Sequence, residues 1–246
     1  MWKCNDKVIN TRFLNSKKAL SLVELVVITF VLAIIATTAF PTYKIFQQRS
    51  KEKRLKKILT DVRAAINGSK SHNSTTEFEE GFRTVARVMG TLHIEKVANM
   101  NAWDPQAKQN CIRAFVAEFG SDKGNGYPKA PDDIWKQNPV ANFPAKLTGF
   151  YDDGVNPPPE LVLGNFTLNR PFYRKKPVHP FHDWFQTANF EYVPVYDRIA
   201  SGATYTFERW KELCPDDDPD PPLKGVKDIV SRGVGLALDG SNTNDW

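Results

Sequence analysis

The sequence predicts an α+β fold, with a long N-terminal helix followed by a loop-rich head built on short strands. Three observations carry that reading. Residues 20–40 form an apolar run of 21 residues with a single ionisable side chain, Glu24, and about 20 apolar residues span a bilayer core. Beyond Pro41, the residues Leu55, Ile58, Leu59, Val62 and Ile66 recur at helical spacing, which places them on one face of a continuing helix. From residue 121 onward the chain is rich in Pro, Gly, Asn and Asp with aromatics between them, the signature of short strands joined by long loops.

The helix is expected to run from Leu20 to about Asn67, roughly 70 Å at ~1.5 Å per residue. Asn67-Gly68-Ser69 supplies its stop, glycine being the residue that most readily adopts the left-handed conformation at a helix end. Pro41 removes a backbone donor inside this helix. It either kinks the helix or marks a stretch that melts on assembly. Further helices are expected within residues 76–120, one burying Phe82, Val85, Ala86 and Met89, another burying Ile112, Phe115, Val116 and Phe119. Candidate strands are 161–168, 190–195, 204–210 and 228–232. The tract at 215–222, PDDDPDPP, reads as a stiff acidic linker.

Charge is unevenly placed. Residues 1–70 hold 14 Lys/Arg against 4 Asp/Glu, whereas the remaining 176 hold 19 against 24. The basic side chains therefore bracket the apolar run, which fits a membrane surface and gives no reason to expect nucleic acid. Cys4 precedes the run, while Cys111 and Cys214 follow it. Those two are expected to pair as a disulfide in an oxidising compartment, the alternative being two unrelated buried thiols.

The apolar run admits three readings. A secretory signal peptide would be cut at the small residues Thr37-Thr38-Ala39, but Glu24 does not belong in its core. An ordinary signal anchor gives Glu24 no purpose. Cleavage between Ala19 and Leu20, by contrast, creates an α-amino group one helical turn before Glu24. A carboxylate and an ammonium that are costly alone in lipid are tolerable as a pair. In a staggered stack of such helices, each Glu24 meets the amino terminus of a neighbour.

The segment KKALSLVEL with its following apolar helix resembles the leader and N-terminus of type IV pilins and type II secretion pseudopilins. The resemblance implies a leader at 1–19, trimmed by a prepilin peptidase that methylates Leu20. It also implies an N-terminal helix over 20–68, transmembrane at 20–40, packed on a small antiparallel sheet, and a periplasmic head over 69–246. Glu24 falls at the family's fifth mature position and Pro41 at its twenty-second. Where the family has glycine before the cut, this chain has Ala19. The implied partners are identical and minor subunits and an inner-membrane assembly platform. The implied location is the inner membrane, single-pass with the head in the periplasm, then an extracytoplasmic fibre.

The C-terminal half is similar to the major pseudopilin branch through Asn125-Gly126-Tyr127-Pro128, then Asp183-Trp184 with Phe190-Glu191-Tyr192, then a last strand and an acidic, glycine-bearing loop. That branch binds calcium in the closing loop, which implies Asp239, Asn242, Asn244 and Asp245 as ligands. The stretch between Gly68 and Asn125 is longer than the family's. Against this, His179 and His182 in HPFHD read as a surface pair rather than a zinc site. Ser231 has no assignable His or Asp partner, and Trp103, Trp135, Trp184 and Trp210 read as core. No nucleotide loop or nucleophile elbow appears, so no enzyme is expected. Two rival classes remain: a minor pilin or tip adhesin binding a surface, a sugar or DNA, and a soluble periplasmic binding protein starting near Phe40.

Overall fold

The computed structural model describes residues 21–68, 81–97, 99–118, 125–143, 146–148, 160–163, 166–215, 218 and 221–246. The chain divides into two compact units, Met1–Gln48 and Arg49–Trp246. Helix α1, Leu22–Asn67, supplies the described part of the first unit and then the opening helix of the second. The second unit begins inside the helix, at Arg49. The stop is where the sequence placed it: Gly68 has φ of 90° and donates its N–H to the Ala64 carbonyl at 2.7 Å.

In the head unit α1 buries Leu55, Leu59, Val62, Ala65 and Ile66, each contributing very roughly 1 to 3 kcal/mol through apolar area removed from water. They join one buried cluster with residues of a three-stranded antiparallel sheet. Its central strand β3, Asn189–Asp197, pairs with β4, Tyr205–Thr206, on one side and β5, Leu223–Arg232, on the other. Phe190, Tyr192 and Pro194 alternate inward along β3, the two-residue period of a half-buried strand. The β3–β5 register shifts at Val193/Pro194, where Val193 faces Asp228 and Pro194 faces Val226. A bulge suits a residue with no N–H to give the ladder. A separate pair joins β1, Lys146–Thr148, to β2, Glu160–Val162. The α+β class and the small antiparallel sheet stand as expected.

Helices α2, Phe82–Val97, and α3, Pro105–Glu118, pack on each other. Their inward faces are rotated from the expected ones. Helix α2 buries Phe82, Ala86, Gly90 and Ile94, leaving Met89 exposed; α3 buries Ala107, Cys111 and Phe115, leaving Val116 exposed. Phe119 lies outside the described residues. The absent side chain of Gly90 sets α2's rotation, because a Cβ there would come within 2.7 Å of the Phe115 ring.

The expected strand at 204–210 is mostly helix. After two strand residues, Thr206 accepts a hydrogen bond from the Arg209 N–H at 3.2 Å and caps α4, Phe207–Leu213, with Glu208 favourably placed in the first turn. Among the described residues of the expected strand at 161–168, the start is strand, while residues 164–165 lie outside the described residues. Leu163 and Leu168 are buried, and Thr167 bridges Val140. Trp210 is core and Trp103 and Trp135 pack against it, but Trp184 is exposed.

The disulfide expectation is corrected. Cys111 and Cys214 are both free. Cys111 is fully buried on α3's inward face, where burial pushes its thiol up to about 11. Cys214 caps the end of α4, with its Sγ 3.6 Å from the Leu223 carbonyl oxygen. Each thiol is held by its own element.

Candidate assembly helix and head closure

The N-terminal half of α1 is an apolar helix, exposed over residues 21–46 among the described residues. Over its most apolar 18-residue window no residue is buried, and its length and composition suffice to cross a membrane. Ala19 and Leu20 lie outside the described residues. The helix starts two residues later than expected because Ser21 caps it: its hydroxyl oxygen accepts the Glu24 N–H at 3.2 Å, and its carbonyl accepts the Leu25 N–H at 3.1 Å. Ser21-Leu22-Val23-Glu24 has the spacing of a capping box, a signal legible in the sequence. Glu24 therefore has a local use, since a carboxylate in a helix's first turn complements the partial positive charge there.

Helix α1 continues through Pro41 without interruption. Threonine hydroxyls attend the turns around it. Thr37 donates to the Ile34 carbonyl at 2.8 Å, Thr38 to Ile35 at 3.0 Å, and Thr42 to Thr38 at 2.9 Å. Such internal bonds keep hydroxyls satisfied where water is excluded.

The head closes on α1 at its last residues. Arg63 is the hub: its Nε donates to Asp228 Oδ1 at 2.7 Å, and its Nη2 to the carbonyls of Ile229 at 3.1 Å and Trp246 at 2.6 Å. Two turns earlier, Lys56 lies 4.0 Å over the Trp246 ring and 3.7 Å from Asp239 Oδ2. Glu52 Oε1 accepts the Leu238 N–H at 2.9 Å. Helix, strand β5 and terminal loop are thereby joined by three side chains whose role the sequence did not reveal.

The four expected calcium ligands sit in this loop, and their oxygens are differently employed. Asp239 Oδ1 accepts both the Ser241 N–H at 2.9 Å and the Ser241 hydroxyl, bonds that hold its carboxyl below the usual range, with Lys56 adding to the effect. Asn242 Oδ1 accepts the Asn244 N–H at 3.0 Å, capping the short 3-10 turn Thr243–Asp245. Asp245 is exposed. Asn244 Oδ1 is buried without a hydrogen-bond partner, a single waiting acceptor. Calcium wants six to eight oxygens, and here an ammonium already faces the one engaged carboxylate. The donor set does not fit the ion. Millimolar calcium is accordingly expected to leave the head's melting temperature where EDTA leaves it; a rise of several degrees would mean that the ion displaces Lys56.

His179 and Ser231 depart furthest from expectation. Rather than lying on the surface, His179 is 5% exposed, and its Nε2 is 2.9 Å from the fully buried Ser231 Oγ. Nδ1 accepts the Phe181 N–H at 3.3 Å, so Nε2 carries the proton and donates to the serine. An imidazole that donates in this way is no base toward that hydroxyl, and the pair is a buried tie between β5 and the loop before β3. His182 remains exposed, with Nδ1 3.2 Å from the Ala188 carbonyl oxygen. Among the described residues, no group of three or more His, Cys, Asp or Glu side chains is placed to hold a metal ion.

Two buried groups give the head opposed responses to acid. Burial, then the neighbouring His182, hold His179 down to about 4. The unfolded chain therefore takes up this proton first, and stability falls as pH drops from about 6.5 to about 4. Burial pushes Asp133 up to about 6, against bonds from the Val140 and Ala130 N–H groups at 3.0 and 2.8 Å. Here the folded chain is protonated first, so stability rises as pH drops from about 6 to about 4. Each effect is worth roughly 2 kcal/mol after discounting for solvent screening, and the two oppose each other. Urea titrations between pH 6 and 4 should separate them as changes relative to the parent chain. His179→Gln should gain stability on acidification and Asp133→Asn should lose it; parallel profiles for all three would contradict this assignment.

No family model, curated protein or solved structure matches this chain.

Proposed function

We propose that the chain is a structural subunit of a type II secretion pseudopilus or related type IV pilus-like fibre. A prepilin peptidase cuts it between Ala19 and Leu20. The apolar half of α1 then stores it in the inner membrane with the head in the periplasm. On assembly, that helix leaves lipid for a bundle of identical helices, so its apolar surface stays covered. Glu24 fixes the stagger, because only registers that give the carboxylate an amino-terminal partner avoid an unpaired charge. Pro41 is the place where the helix yields if it must lengthen.

One observation supports this reading above the rest. Over its most apolar 18-residue window no residue is buried among the described residues, yet the helix carries an acidic residue in its first turn. An anchor needs only the first feature. The C-terminal half contributes a second support, a helix stripe packed on a small antiparallel sheet. Partners are then the peptidase, identical and minor subunits, and the assembly platform.

Co-expression with a prepilin peptidase and an assembly platform tests the proposal. Sheared fibres containing the chain are expected only when both are present. A fibre fraction without the chain would contradict the proposal, and one holding it at a few copies beside a smaller and abundant subunit would move it to a minor or tip position.

A further inference from the structure

The end of the head from which α1 leads back toward the apolar run carries exposed apolar side chains among cations. Trp184 and Phe185 are 40% and 43% exposed, and Leu236 and Leu238 are 68% and 43% exposed. Lys51 lies 4.4 Å over the Trp184 ring, while the adjacent Glu52 holds the Leu238 N–H. The two loops therefore meet α1 at one turn. They also share one end of the sheet, since Asn189 pairs with Arg232 across β3 and β5. Gly233, with φ of +80°, lets the backbones touch there: a Cβ would fall 2.4 Å from the Thr187 carbonyl oxygen.

The charge at this end is basic. Within the head unit, residues 49–57 carry Arg49, Lys51, Lys53, Arg54, Lys56 and Lys57 against Glu52. The acids of these loops and the adjoining strand include Asp183, Glu191, Asp239 and Asp245, of which Asp239 already faces Lys56 and Glu191 faces Arg232. Amphipathic aromatics and leucines flanked by lysine are the composition that settles at a lipid headgroup layer, and each nearby cation adds ~1 kcal/mol on an anionic surface.

We propose that this end of the head docks on anionic lipid headgroups, with Trp184, Phe185, Leu236 and Leu238 at the interface and Lys53 and Lys57 facing lipid phosphates. The inference rests on the membrane-anchored reading. It adds a second, electrostatic hold on the stored subunit, one that must be released before the head can pack in a fibre.

Hydrogen exchange of the full chain tests it, in vesicles of phosphatidylglycerol and phosphatidylcholine, in phosphatidylcholine alone, and in detergent. Peptides covering 181–188 and 235–241 should exchange at least tenfold more slowly on the anionic vesicles than on the neutral ones. Lys53→Glu with Lys57→Glu should return them to the neutral-vesicle rate. Equal exchange in both vesicles, with the chain still resistant to alkaline carbonate extraction, overturns lipid docking and leaves the anchor intact. Loss of the chain on carbonate extraction overturns both. Protection that appears in detergent and grows with protein concentration assigns the surface to a second copy instead.

Discussion

Glu24→Gln is expected to abolish fibre assembly while leaving the subunit helical and membrane-bound. Glutamine is nearly isosteric with glutamate and serves equally well at the third position of a capping box. The bond from the Glu24 N–H to the Ser21 hydroxyl at 3.2 Å uses the backbone and is untouched. What disappears is the charge. Breaking one partner of a buried ion pair costs roughly 3 to 5 kcal/mol by leaving the other unpaired. In the proposed fibre that cost recurs at each subunit contact. Immunoblots of sheared fibres and of washed membranes read the two outcomes separately. Normal fibre yield with the glutamine variant would reduce Glu24 to a helix cap.

Gly81→Val is expected to prevent the head from folding. An ideal Cβ at Gly81 would stand 1.9 Å from the Gly68 nitrogen, 2.5 Å from its Cα and 2.6 Å from the Asn67 carbonyl carbon. All three atoms are backbone, so no side chain can swing aside. The end of α1 and the start of α2 cross at two glycines, and separating them opens the cluster that holds Ile66 and Phe82. A loss of about 4 kcal/mol or more is expected, the upper range for single substitutions, against typical domain stabilities of ~5 to 15 kcal/mol. Urea denaturation of the variant should find little or no folded baseline. A midpoint equal to that of the parent chain would mean the two helix ends do not touch.

Local signals were readable in the sequence to the extent that they were self-contained. The end of α1 was legible because Asn67-Gly68 states its own conformation. Its start was legible too, in Ser21 and Glu24, once the spacing is read as a cap rather than as part of an apolar run. The segment 204–210 misled because Thr, Tyr, Phe and Trp favour strands, while a single capping threonine decided for helix after two residues. The faces of α2 and α3 depended on contacts such as Gly90 against Phe115, which no period within one helix contains. The same holds for His179 with Ser231, 52 residues apart, and for Arg63, whose partners lie 165 or more residues away. The surroundings of the closing loop likewise depended on a residue outside it altogether, Lys56 beside Asp239.

The identity of the mature N-terminus tests the central claim most directly. Intact-mass and fragment analysis of the chain taken from membranes should find it beginning at an N-methylated Leu20, with residues 1–19 removed. A mature chain beginning near Phe40, or one retaining Met1, would leave Glu24 without the amino group that gives it a partner.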